Sequence, residues 1–121
     1  MAIAEREIVL ASAARTATVT VTLDTRGAAG FYVYLDVTVD PSSAVLTMNI
    51  DGFDASANEA FTLLDGAAVN SVSFNVYKVW PGATVVANLA ANEWLPDRVN
   101  IHIAVADSDS MTYSVSVAWL R

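Results

Sequence analysis

The feature that most constrains the fold is a two-residue beat of apolar and polar side chains that recurs along almost the whole chain. Thr18-Val19-Thr20-Val21-Thr22-Leu23 alternates strictly. Successive side chains of an extended strand point to opposite faces, so Val19, Val21 and Leu23 share one face and the threonines the other. The stretch 31–39 repeats the pattern, with Phe31, Val33, Leu35, Val37 and Val39 inward and Tyr32, Tyr34, Asp36 and Thr38 outward. Further strands are predicted over 44–50, 61–64, 72–76, 99–105 and 111–119, with Ile8-Val9-Leu10 as a possible short leading strand. Val72, Phe74 and Val76 carry the apolar phase of theirs. Turn chemistry separates these runs: Asp24-Thr25-Arg26-Gly27, Asp40-Pro41-Ser42-Ser43, Asp51-Gly52-Phe53-Asp54, Asp65-Gly66 and Asp107-Ser108-Asp109-Ser110. Asp65-Gly66 reads as a reversal, Trp80-Pro81-Gly82 as a stop, and the last two strands as an antiparallel hairpin.

Seven or eight short strands at such spacing predict an all-β fold, an antiparallel sandwich of jelly-roll or immunoglobulin-like type or a small barrel. Only the Ala-rich stretch 84–93 lacks the beat, and it is read as a short irregular or helical segment. At 121 residues the chain is one domain. Residues 1–15 are expected to form an N-terminal arm or edge strand and 16–121 the sandwich. The longest uncharged stretch, 79–92, contains Pro81, Gly82 and Asn88 and falls short of the ~18 apolar residues of a spanning helix. The opening Met-Ala-Ile-Ala-Glu-Arg-Glu carries charges of both signs where a signal peptide has an apolar core.

Composition narrows the function. Hydrophobic residues make up 55% and charged residues only 16%, against about 25% in ordinary soluble domains. A chain this apolar buries enough surface to fold, and it has surface left over for contact with other chains. Cysteine is absent, which excludes disulfide scaffolds, zinc ribbons and thiol enzymes. His102 is the single histidine and lies on the outward phase of its strand, so no site with several imidazoles can form. There is no Gly-x-Ser-x-Gly elbow and no phosphate-cradling loop, and the expectation is that the protein is not an enzyme and uses no cofactor. The pairs Asp51/Asp54 and Asp107/Asp109 invite a cation, but lack the spacing of a calcium loop, and turn capping is the simpler use of them. Six basic residues against thirteen acidic ones, net charge −7, argue against nucleic acid. Outward aromatics remain: Tyr32, Tyr34, Trp80 and Trp94 could stack on a sugar, but such residues are those that protein interfaces enrich.

Four segments together resemble a known group: Leu63-Leu64-Asp65-Gly66-Ala67-Ala68, Val76-Tyr77-Lys78-Val79-Trp80-Pro81-Gly82, Ala87-Asn88-Leu89-Ala90-Ala91-Asn92-Glu93-Trp94-Leu95-Pro96 and Ala106-Asp107-Ser108-Asp109-Ser110-Met111-Thr112-Tyr113-Ser114-Val115. They look like the small β-rich virion proteins of tailed double-stranded DNA phages. The resemblance implies a capsid decoration (cement) protein on the outer surface of the head, bound to the major capsid protein and associated with itself as a homotrimer. Neck or tail components share fold and composition, and a carbohydrate-binding module of a host-recognition device is the other alternative. No membrane or nucleic-acid partner is expected. The candidate contact residues are Ile8, Val9, Tyr32, Tyr34, Trp80, Leu89, Trp94 and Leu95, whereas Trp119, on an inward phase, belongs to the core.

Overall fold

A computed structural model describes residues 3–40, 44–106 and 109–121. Nine strands lie among them: β1 Ile3–Arg15, β2 Val19–Asp24, β3 Gly30–Val39, β4 Leu46–Asp54, β5 Glu59–Val69, β6 Ser73–Val79, β7 Ala90–Ala91, β8 Arg98–Val105 and β9 Met111–Leu120. They form two sheets, one of order β1-β9-β3-β6-β7 and one of order β2-β8-β4-β5, antiparallel throughout except that β7 runs parallel to β6. The expected all-β sandwich is what the chain adopts.

The period-two pattern explains the layering. Phe31, Val33, Leu35 and Val37 of β3 and Val115, Val117 and Trp119 of β9 point from one sheet toward Leu46, Met48 and Ile50 of β4 and Val99, Ile101 and Ile103 of β8, and all are essentially inaccessible to water. Phe31 stacks on Trp119 with centroids 5.4 Å apart. Each large side chain so buried contributes about 1.5–3 kcal/mol of transfer free energy. Both sheets therefore share one core, with their outward phases left as the two broad faces of the sandwich.

Several local expectations give way. The last two strands do not form a hairpin: β8 pairs with β2 and β4, whereas β9 pairs with β1 and β3 in the other sheet. Both have strongly apolar inward phases, and facing layers bury both phases at once while side-by-side pairing does not require it. Asp65-Gly66 does not reverse the chain. Strand β5 runs through it, and the irregularity falls between Asn49↔Asp65 and Thr47↔Ala68. Glycine is required at 66 by close approach, since a Cβ there would lie 2.5 Å from the Met48 carbonyl oxygen. Lastly, β6 takes the opposite phase to the one expected. Tyr77 and Val79 are buried and Phe74 is 62% exposed, because the register Val33↔Tyr77 and Phe31↔Val79 forces residues opposite the buried ones of β3 to face the same way.

The stretch 84–93 contains no helix. Val86 and Ala90 exchange backbone hydrogen bonds around a turn in which Asn88 has φ of 66°, and Asn88 Nδ2 donates to the Asp65 carbonyl at 3.1 Å. The turn expected over Asp51-Gly52-Phe53-Asp54 is strand instead: β4 runs on to Asp54 and the chain reverses over 55–58, where the Ser56 amide donates to Asp54 Oδ1 at 3.0 Å. The proposed turn over 41–43, and Asp107 with its neighbour Ser108, lie outside the described residues.

Candidate protein interface

The outward phase of the five-stranded sheet is aromatic. Register sets its rows: Ile8, Ser116, Tyr34 and Val76 lie side by side across β1, β9, β3 and β6, and Arg6, Ala118, Tyr32 and Lys78 form the next row. Tyr34 stacks on Phe74 at 5.8 Å and meets Tyr32 edge-on at 6.5 Å. The Arg6 guanidinium lies 4.8 Å from the Tyr34 ring centroid and the Lys78 ammonium 5.2 Å from that of Tyr32. Ring faces attract cations, which holds both long side chains flat against the sheet. Ile8 is 74% exposed at one margin and Phe74 62%. The result is a patch of two tyrosines, a phenylalanine and two aliphatic side chains with two cations upon it: apolar area, polar handles and little rotamer entropy to lose, which is the chemistry of a protein contact.

The opposite face is built otherwise. On the four-stranded sheet the Thr20 hydroxyl and His102 Nδ1 are hydrogen-bonded at 2.7 Å, and the Thr22 hydroxyl donates to Asn100 Oδ1 at 2.7 Å. Asp51 lies on this face, its carboxyl held above the usual range by partial burial and then by the negative charge of Asp65, with His102 opposing. Among the described residues no group of three or more His, Asp or Glu side chains is arranged to hold a metal ion.

The expected contact residues distribute unevenly. Tyr32, Tyr34 and Ile8 come together on the aromatic face. Val9, next to Ile8, points the other way and packs against the core, as does Leu95 from its loop. Trp80 is half-buried at the end of β6, its Cβ pressed so near Gly30 that no side chain fits there. With Tyr32, Lys78, Thr84 and Val86 it lines a depression of about 270 Å³. Leu89 sits in the turn before β7, 46% exposed, and Trp94 is 71% exposed beyond β7. Phe74, Val76, Arg6 and Lys78 complete the face without having been singled out. A larger depression of about 310 Å³ separates Leu63 and Leu64 of β5 from Val85 and Val86, with Asp65 and Glu93 as its titratable groups.

No protein-family description matches this chain, and no curated protein matches it. Among solved structures it is similar to a chain in the structure of infectious bursal disease virus Gx strain. The alignment covers 97% of this chain and 32% of that one, at 13% identity and a TM-score of 0.37. The protein thus spans less than two thirds of its structural neighbour's length.

Proposed function

We propose that the protein is a virion structural component, a capsid decoration or cement protein that binds the outside of an assembled phage head and stabilises the lattice of its major capsid protein. The observation that carries this reading is the aromatic face of Tyr32, Tyr34, Phe74, Val76 and Ile8, an exposed patch on a small β-sandwich. The four sequence segments that resemble tailed-phage virion proteins support it, as does a charged fraction of 16%. The role is mechanical, without catalysis or cofactor. A ligand that binds one state of a lattice and not its alternative stabilises that state by mass action, and copies joined to one another gain avidity from fixed geometry. Arg6 and Lys78 add electrostatic selection for carboxylates on the partner, and the acidic net charge suits the outer surface better than contact with packaged DNA.

Sugar stacking is disfavoured by the same geometry, because Arg6 and Phe74 already pack against Tyr34 and Lys78 against Tyr32. The deciding experiment compares heads with and without the protein. Heads lacking it are expected to lose DNA at lower temperature or lower salt, and added purified protein restores resistance in hundreds of copies per head. Equal resistance refutes cementing, and a handful of copies per virion moves the protein to the neck or tail.

A further inference from the structure

Among the described residues the two sheets have four outermost strands, and three of them are interrupted, charged or very short. Strand β1 is interrupted by three irregularities and carries Glu5, Arg6, Glu7 and Arg15. Strand β5 has two irregularities, with Glu59, Asp65 and Gly66 along it, and β7 is two residues long. Charges, bulges and shortness are the means by which natural sheets prevent their free edges from recruiting another strand. Strand β2 has no bulge, and its one charged residue, Asp24, stands at its end. It pairs with β8 in unbroken register from Val19↔Ile103 to Asp24↔Arg98, lies at the edge of its sheet, and is uncharged and free of proline and glycine from Val19 to Leu23. Its inward residues Val19, Val21 and Leu23 also stay half-buried, whereas those of β8 and β4 are fully buried. Among the described residues no strand pairs with the outer edge of β2.

We propose that this edge takes the β2 of a second copy of the chain, paired antiparallel about a two-fold axis centred on Val21, so that two four-stranded sheets join into one of eight. Three features favour a second copy over an unrelated chain. Directly opposed residues of an antiparallel pair share a face, and a centre on Val21 sets Val19 against Leu23 and Thr20 against Thr22, which keeps the aliphatic side chains inward and the threonines outward in both copies. The sequence Val19-Thr20-Val21-Thr22-Leu23 therefore complements itself without a mismatch. Charge agrees: each copy carries a net charge of −7, and this edge lets two acidic chains meet with no carboxylates opposed, since Asp24 falls opposite Thr18. Finally, the contact is isologous and closes on itself, so it ends at a pair and does not propagate as a fibre. It is separate from the aromatic face, and its test uses the purified protein without any capsid.

The chain has no cysteine of its own, so Val21→Cys introduces a single thiol placed to face its own copy. Under mild oxidation it is expected to give a covalent pair on a denaturing gel, in high yield at low protein concentration. Because Val21 is half-buried, a second route uses the exposed positions: Thr20→Cys mixed with Thr22→Cys crosslinks, and either variant alone does not. A charge exchange then fixes the register. Thr20→Lys with Thr22→Lys opposes like charges twice and is expected to lower pairing about tenfold. Thr20→Lys with Thr22→Glu sacrifices the same hydroxyl contacts to His102 and Asn100 yet restores pairing. Folded protein that stays monomeric, crosslinking that ignores the charge exchange, or association only with a different chain overturns the proposal.

Discussion

The two broad faces of the sandwich are made from the same strand grammar and differ only in what fills the outward phase. On the four-stranded sheet threonine, asparagine and histidine satisfy one another across neighbouring strands, Thr20 with His102 and Thr22 with Asn100. On the five-stranded sheet tyrosine, phenylalanine and isoleucine fill it, with cations laid over the rings in place of hydrogen bonds. Both faces cap the same core, so stability does not distinguish them. The polar face is complete in water. The aromatic one leaves large apolar side chains exposed, a cost that a bound partner removes. Part of the hydrophobic surplus is thus gathered onto this face, while Phe61, Val85, Leu89 and Trp94 are exposed on other elements.

The largest expected effect lies beneath both faces. Trp119→Ala removes a buried indole that stacks on Phe31 and should destabilise the fold by about 3–5 kcal/mol, measured by denaturant unfolding. A loss under about 1 kcal/mol would mean the shared core is not what joins the sheets. Next comes the contrast itself. Phe74→Ala on the aromatic face should weaken binding to assembled heads by about 2 kcal/mol, roughly thirtyfold, with little change in unfolding. His102→Ala on the polar face should leave head binding unchanged. Equal losses from both variants would erase the functional difference between the faces.

Much of this was legible in the sequence, because alternation reports which residues share a face. The phases of β2, β3 as far as Val37, β8 and β9 follow directly from it, and so do Tyr32 and Tyr34 as outward aromatics; Val39, expected inward, is 47% exposed because a register shift after Val37 sets it opposite Thr112. Strand β6 was not legible. Phe74, Val76 and Val72 look like the buried phase, and only pairing with β3 shows that Tyr77 and Val79 are the buried ones. Both phases of that strand mix apolar and polar residues, Phe74 and Val76 with Lys78 on one and Tyr77 and Val79 with Ser73 and Asn75 on the other, so composition along it cannot choose between them, and the choice is made by β3, about forty residues away in the chain. The same long-range decision hid Phe74 from the contact residues and turned Val9 inward beside Ile8. The Asp65-Gly66 dipeptide misleads for a related reason: its glycine answers to the Met48 carbonyl on the next strand and not to a turn.

A smaller effect is expected under the aromatic face. The Tyr113 side chain is fully buried, and its hydroxyl finds no hydrogen-bond partner among the described residues. Tyr113→Phe removes that uncompensated group while keeping the ring and the Arg15 guanidinium 4.8 Å from its centroid, so stability should hold or rise by up to about 1 kcal/mol. A clear loss would reveal a partner for the hydroxyl and make this region as polar as the other side.

The smallest effect tests how complete the polar face is. Asp51 has its carboxyl raised from an ordinary value of 3.8 by partial burial and by Asp65. A raised folded-state value means that the native protein holds this proton more tightly than the unfolded chain. The associated stability is present below pH 3.8 and is lost as pH rises through the folded-state value, leaving a charged Asp51 slightly unfavourable at neutral pH. Asp51→Asn should therefore raise the melting temperature at pH 7 by a small margin, worth less than about 1 kcal/mol given the solvent access of the site. The gain should fade below pH 4, where the wild-type carboxyl is neutral too. Thermal melts of the wild-type chain and Asp51→Asn between pH 3 and 7 measure this directly. A pH-independent gain would assign the effect to packing, and a loss at pH 7 would show that the Asp51 charge is as well satisfied as the threonine and asparagine pairs around it.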